Sequence, residues 1–200
     1  MSELRIIAGQ WRGRRIAVPA AGVRPTADRV REAWMSIIQP HIPDARVLDL
    51  CAGSGALGLE CLSRGAEHCD FVEQDPKVLR VLQGNIETLG ATPRSTVHKA
   101  SAPTWLEQQL QSQWQLPSPL PSPLQLHPSS VIRPYQLALA DPPYASDLAE
   151  RLATIWLTTP FSDIFCIEHA SSLTLPAPAD AAPDRRRYGE TALTIYRAPR

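Results

Sequence analysis

The segment Arg46-Val47-Leu48-Asp49-Leu50 runs directly into Cys51-Ala52-Gly53-Ser54-Gly55-Ala56-Leu57-Gly58. A short apolar run, broken by one acid, is followed by a glycine-rich turn that feeds a helix. An apolar run of this kind suits a strand covered on both faces, and such strands belong to parallel sheets. Parallel neighbours need crossover helices, and the rest of the chain supplies the alternation. Further strands are predicted over His68 to Glu73, Ser95 to Lys99, Tyr135 to Ala140, Ile164 to Glu168 and Thr191 to Arg197. Helices are predicted after the glycine turn up to Gly65, from Pro76 to Gly90, from Thr104 to Gln111 and from Leu148 to Leu157. Asp75 caps the second of these, Pro76 takes its first position, and Gly90 stops it. Its buried stripe is Val78, Leu82, Ile86 and Leu89. The expected fold class is α/β, a doubly wound and mostly parallel sheet with helices on both faces.

Ahead of this unit, Leu4 to Ala8 and Arg14 to Val18 are β-prone runs around Gly9 and Gly13, and read as a hairpin. Thr26 is the expected N-cap of a helix carrying Val30, Ala33, Trp34, Ile37 and Ile38 on one face, ended by Pro40. The expected organisation is a basic hairpin extension over residues 1–24 and a main domain over 25–200. A Pro-rich insertion at about 113–134 has PSPLPSPL at its centre and reads as surface chain or a PxxP ligand. Pro176 to Pro183 is a similar Ala/Pro linker.

Charge matters here by its placement. The 200 residues carry 20 basic and 20 acidic side chains, so no overall field selects a partner. All the basic residues except Lys77 and Lys99 are arginine, whose planar fork suits phosphate. Arg5, Arg12, Arg14, Arg15, Arg24, Arg29 and Arg31 crowd the first 31 residues, opposed only by Glu3 and Asp28. Arg185, Arg186 and Arg187 form a second run. Cys51, Cys61, Cys69 and Cys166 lack zinc or CxxC spacing, and the five histidines fit no metal motif, so no metal is expected. With no signal-peptide pattern and no apolar span of membrane length, the expectation is a soluble, cytoplasmic protein.

Gly53, Gly55 and Gly58 satisfy GxGxxG, which by itself fits several nucleotide-like ligands. Asp49 narrows the choice. A negative charge at that strand end opposes a pyrophosphate and suits a ligand carrying an ammonium and a sulfonium, as S-adenosylmethionine does. Glu73, twenty residues after Gly53, can accept both hydroxyls of a ribose. Glu73 fits NAD as well as S-adenosylmethionine; Asp49 favours the methyl donor. The candidate cofactor-binding residues are Asp49, Cys51, Ala52, Gly53, Ser54, Gly55, Glu73 and Gln74, with Ser101 and Ala102 after the third strand of the main sheet.

Asp141-Pro142-Pro143-Tyr144 follows the strand ending at Ala140. Pro142 precedes a proline and is held extended, and Pro143 has a fixed φ. The segment is stiff, with its acceptors aimed in set directions. Asp141 and the Pro142 carbonyl can take the two N–H bonds of an amine and leave its lone pair available. Tyr144 offers a face on which a base can stack. These four residues are the candidate catalytic set, for methylation of an exocyclic amine. The proton lost afterwards goes to Asp141 or to water.

With these motifs placed, the chain resembles the bacterial 16S ribosomal RNA (guanine(966)-N2)-methyltransferases. The resemblance rests on Arg5-Ile6-Ile7-Ala8-Gly9, Gly13-Arg14-Arg15-Ile16, Arg24-Pro25-Thr26, Arg29-Val30-Arg31-Glu32, the Asp49 to Gly58 loop, Asp141 to Tyr144 and Tyr188-Gly189-Glu190-Thr191. It implies a Rossmann-like class I fold with a seven-stranded sheet whose final strand pair is antiparallel, and guanine N2 of small-subunit RNA as target. The substrate would be the subunit or an assembly intermediate, met by a monomer. Arg12, Arg14, Arg15, Arg24 and Arg29 would face RNA phosphate. Ser101 stands where that family usually has Asp or Asn. The alternatives are a methyltransferase for adenine N6 or another DNA or RNA amine, an NAD-dependent oxidoreductase, and a non-catalytic RNA-binding assembly factor.

The division of labour is testable. Asp141→Ala is expected to leave cofactor affinity nearly intact and to abolish turnover, measured by calorimetry and methyl transfer in parallel. A folded variant that no longer binds cofactor contradicts the assignment.

Overall fold

A computed structural model describes residues 2–19, 25–112, 133–178 and 182–199. The chain opens with β1 (Ser2–Arg5) and β2 (Arg15–Val18), an antiparallel pair. The helix α1 (Pro25–Ile38) follows. The main domain then alternates through β3 (Arg46–Leu50), α2 (Ala56–Ser63), β4 (His68–Glu73), α3 (Pro76–Leu89), β5 (Ser95–Lys99), α4 (Ala102–Ser112), β6 (Tyr135–Ala140), α5 (Leu148–Thr158) and β7 (Ser162–Ala170). It closes with β8 (Asp184–Tyr188) and β9 (Thr191–Arg197). The seven-stranded sheet has the order β5-β4-β3-β6-β7-β9-β8. Every pairing from β5 to β7 is parallel, and β9 runs antiparallel to both β7 and β8.

The sheet is covered on both faces, and the period of two along each strand divides the core. Val47, Cys69, Phe71, Leu137 and Leu139 point toward α1, α2 and α3, where they join Trp34, Leu59, Leu62, Leu82 and Ile86. Leu48, Val72, Ala138 and Ala140 point toward α4 and α5, where they join Trp105, Leu152, Trp156, Phe165 and Tyr196. The strand order reverses at β3, so the crevice lies beyond the carboxyl ends of β3 and β6.

Several boundaries depart from the sequence-based expectation. β1 begins at Ser2 rather than Leu4, because its partner β2 extends to Val18 and pairs with Ser2. α1 already includes Thr26, so that residue is not its cap; its side chain lies outside the described residues, as do Arg24 and the side chain of Arg29. α4 starts two residues earlier than expected, since the Trp105 amide already bonds the Ser101 carbonyl (3.0 Å). β7 is longer at both ends because β6 and β9 flank it. Asp75 does cap α3, accepting from the amides of Lys77 and Val78, and Gly90 ends it in the left-handed conformation. Of the Pro-rich insertion at about 113–134, residues 113–132 lie outside the described residues, and the Ala/Pro linker falls partly so. Among the described residues, no helix is long and apolar enough to cross a membrane.

An isolated hairpin of this length is marginal in water. Here it is bonded to α2. The buried Glu60 of α2 accepts from the amides of Ile7 (2.8 Å) and Ala8 (3.0 Å) and from Nε of Arg64 (2.8 Å). Ser63 accepts from the Trp11 amide and donates to the Ala8 carbonyl. Gly9 is required at this junction: a Cβ there would stand 1.8 Å from the Ser63 carbonyl oxygen. Trp11 is packed in the core beneath the Arg94 guanidinium, 5.3 Å from its ring centre, so it is not an exposed stacking face.

Glu60→Ala would strand two backbone donors in a partly buried setting and remove the carboxylate beside Arg64, which would keep its bond to Gln39. The expected cost is about 3 kcal/mol, seen as a fall of about 6–12 °C in Tm. Differential scanning calorimetry checks this, and an unchanged Tm would show that the hairpin anchor contributes nothing.

Candidate active site

The carboxyl ends of the parallel strands converge on a cavity of about 640 Å³. Asp49 reaches it from β3, Glu73 from β4, Asp141 from the turn after β6, and Glu168 from β7. Of the expected cofactor residues, Asp49, Cys51, Ala52, Gly53, Ser54, Glu73, Gln74, Ser101 and Ala102 all line it.

Gly55, also expected there, does not. A Cβ on Gly55 would meet Leu82 Cδ1 at 2.5 Å, and one on Gly58 would meet Phe71 Cε1 at 2.4 Å. These two glycines let α2 approach α3 and β4. Gly53 alone among the three opens on the cavity, in the left-handed region at φ 56°. Cys51 also adopts a positive φ of 62° without being glycine, a conformation that costs of order 1–3 kcal/mol. The turn is therefore strained where it enters the site. Burial, before the nearby carboxylates, pushes the Cys51 thiol up.

Two carboxylates hold the turn. Asp49 is buried, and its Oδ2 accepts from the Gly58 amide (2.9 Å). Gly55 at the N-cap of α2 has no side chain to offer, so the acid from β3 satisfies a donor in the first helical turn. The negative charge thus already occupies the end of the helix where a phosphate would sit. Glu73 accepts from the Gly53 amide (2.9 Å) with one oxygen and from the Asp75 amide (2.8 Å) with the other. Each oxygen keeps a lone pair for a further donor, such as a ribose hydroxyl. This set of groups discriminates between ligands. A pyrophosphate would meet Asp49 across the loop. A ligand with a cationic amino-acid end and a ribose, such as S-adenosylmethionine, finds a partner for each part.

Asp49 is pushed up to about 7, first by burial and further by Glu73, against the bond from Gly58. The unfolded chain would release this proton near 3.8, so Asp49's contribution to apo stability is full below that pH and gone above about 7.

The second motif is arranged differently from the sequence-based expectation. Asp141 and Pro143 line the cavity, whereas Pro142 is buried and Tyr144 stands outside the wall. The Pro143 carbonyl accepts from the Ser146 amide (3.2 Å) and hydroxyl (2.7 Å), which closes the turn. The Tyr144 hydroxyl donates to Glu168 Oε1 at 2.6 Å and lies 2.7 Å from the Thr191 hydroxyl. The residue is 37% exposed and held in a fixed orientation by these bonds. Burial, then the bond to Glu168, pushes this phenol up.

Sequence reasoning missed Arg31, Trp34 and Glu168 on the wall. Glu168 had a signal: like Asp49 and Glu73, it is an acid near the carboxyl end of an apolar strand. Arg31 reaches the cavity from α1 while donating to the Arg5 carbonyl (3.0 Å), a contact that spacing does not reveal. The arginines of the hairpin do not line this cavity. Arg12, Arg14 and Arg15 are exposed; Arg14 donates to the Thr88 carbonyl and Arg15 bridges Glu3 (2.8 Å). Among the described residues, no cluster of three metal-ligating side chains occurs.

The sheet order, the turn after β3 and the acids at the strand ends define a Rossmann-like class I methyltransferase fold. Residues 4–116 match the family described as conserved hypothetical protein 95, and the chain belongs to that family. Over 90 residues it is 52% identical to ribosomal RNA small subunit methyltransferase D of Escherichia coli K12, covering 44% of this chain and 46% of that protein. Over 100 residues it is 43% identical to the putative rRNA methyltransferase YlbH of Bacillus subtilis, covering 50% and 54%. The chain thus spans about half the length of the curated relatives it matches. The solved structure of the putative methyltransferase yhhF from E. coli aligns over 98% of both chains, with a TM-score of 0.76 and 32% identity.

The titration of Asp49 carries a consequence for binding. Only its ionised form attracts an ammonium, so affinity for S-adenosylmethionine should rise about tenfold per pH unit below 7 and level off above about 8. Isothermal titration between pH 5.5 and 8.5 checks it. Asp49→Asn should bind weakly, with the slope removed.

Proposed function

We propose that the chain methylates the exocyclic N2 amine of a guanine in 16S ribosomal RNA of the small subunit, using S-adenosylmethionine. The observation that carries this reading is the placement of Asp49, Glu73 and Asp141 on one cavity at adjacent strand ends. The first two suit the cofactor and the third suits an amine brought beside it. The names borne by the E. coli and B. subtilis relatives support ribosomal RNA as the substrate class. The resemblance carried by the Arg-Pro-Thr and Arg-Val-Arg-Glu segments supports guanine N2.

When bound, the cofactor supplies a methyl group on a positively charged sulfur. The amine nitrogen contributes its lone pair to the new C–N bond, the C–S bond breaks, and its electron pair leaves with S-adenosylhomocysteine. Asp141 and the Pro142 carbonyl accept the two amine N–H bonds and turn the lone pair toward the methyl. One proton then leaves, to Asp141 or to water. The gain comes from alignment and from acceptors fixed before the reaction. The stiffness of Pro142 and Pro143, and the turn closed by Ser146, keep Asp141 in place. Tyr144 stacks the unpaired base. Arg12, Arg14, Arg15, Arg24 and Arg29 contact RNA phosphate. Arg15 keeps 64% of its side-chain surface exposed while bridging Glu3, so that bond does not consume it. The protein works as a cytoplasmic monomer on the subunit or on an assembly intermediate.

The test incubates the protein with radiolabelled S-adenosylmethionine and small subunits from cells lacking this modification. Nuclease mapping and nucleoside analysis follow. The expected product is N2-methylguanosine at one site. Cofactor binding without any label on subunits or naked RNA contradicts the reading.

A further inference from the structure

Glu168 takes no part in the mechanism above, yet it stands beside Asp141. In the parallel ladder Ala140 pairs with Ile167, so Asp141, the first residue past β6, adjoins Glu168, which is still within β7 and pairs with Leu193 of β9 on its other side. Neighbouring strands lie about 4.8 Å apart. The period of two puts both on the same side: Ala140 and Ile167 belong to the core facing α4 and α5, and their successors turn the other way. Both carboxylates line the same cavity. Glu168 is also fixed in position, since the Tyr144 hydroxyl donates to its Oε1 and that phenol is in turn held by Thr191. A carboxylate has about four acceptor sites, so it can serve more than one donor.

We propose that Glu168 is the residue that selects guanine over adenine and cytosine, by accepting the N1–H that adjoins the reacting amine. The inference rests on the amine-methylation reading above and adds the base-discriminating contact. The chemistry of the base edges decides it. In guanine, the C2 amine has a ring N–H as neighbour at N1. In adenine and cytosine, the amine has a ring nitrogen lone pair beside it. Two adjacent carboxylates offer acceptors only. Guanine satisfies both, one through its amine and one through N1–H. Adenine or cytosine would set a lone pair against Glu168 and leave a desolvated carboxylate without its donor. Asp141 alone reads only an amine, which all three bases share. Tyr144 thereby acts twice, since it positions the selecting carboxylate as well as offering its ring.

The experiment uses small subunits reconstituted with 16S RNA that carries either guanosine or 2-aminopurine riboside at the guanine mapped by labelling. 2-Aminopurine keeps the C2 amine but presents a lone pair at N1. The wild-type protein is expected to favour guanosine by about 10- to 100-fold in kcat/KM. Glu168→Gln can donate an amide N–H to N1, so its preference should fall to near unity or reverse. Cofactor affinity and Tm should stay close to wild type, showing that the fold is kept. A folded Glu168→Gln that retains the wild-type ratio overturns the proposal. So does a wild-type protein that treats both substrates alike, a result independent of how the variant folds. Absence of transfer to the guanosine subunits by the wild-type protein overturns the underlying reading instead.

Discussion

The bond between the Asp49 carboxylate and the Gly58 amide organises the centre of this molecule. A helix N-terminus next to a sheet ordinarily attracts an anion from solution. Here the chain provides its own, from near the carboxyl end of a buried strand. Three properties follow from one contact. The first turn of α2 is capped although Gly55 lacks a side chain. The crevice is closed to phosphate and open to a cation. The acid is kept near its own titration point, because burial opposes its charge and the amide supports it. Glu73 repeats the scheme one strand away by bonding Gly53 and Asp75, so the glycine turn hangs between two acids.

The hairpin depends on the same turn. Asn85, buried on α3, accepts from the Ala17 amide and donates both to the Ala17 carbonyl and to the Ser54 carbonyl of the glycine turn. β2 and the cofactor loop are therefore clamped by one side chain. Through Leu4 and Val18 the hairpin contributes to the cavity wall, with Arg31 and Trp34 of α1 beside it. Its core residues Ile6, Trp11 and Ile16 are continuous with those packed on the sheet.

Much of this was legible in the sequence where local rules and tertiary needs agree. β3, β4, β5 and β6 fall at the expected boundaries, because the sheet supports what their apolar runs and bounding turns already specify. Asp75 and Gly90 bracket α3 as the capping rules require. The strand-end acids Asp49, Glu73 and Asp141 reach one cavity because the parallel topology brings carboxyl ends together. β8 was not legible. Its residues Asp-Arg-Arg-Arg-Tyr show no apolar alternation, and four of the five are exposed. It is a strand only because β9 offers it an edge. The GxGxxG spacing does not reveal that Gly55 and Gly58 are packed tightly, the one against Leu82 and the other against Phe71. The role of Tyr144 was half visible: the exposed ring follows from the motif, whereas its hydroxyl bond to Glu168 joins the turn after β6 to β7 across 24 residues and the helix α5.

The anchors of the hairpin also impose an order on synthesis. The bonds from Ile7 to Glu60 and from Trp11 to Ser63 join residues 53 and 52 apart, the bond from Ala17 to Asn85 joins residues 68 apart, and that from Arg14 to Thr88 joins residues 74 apart. At about 5–20 residues per second, the first strands wait roughly 3–15 s for partners that have not yet been made. During that interval Ile6, Trp11 and Ile16 have no core to enter. The hairpin is thus translated well before the residues that hold it, and its anchors are complete once Thr88 has been made.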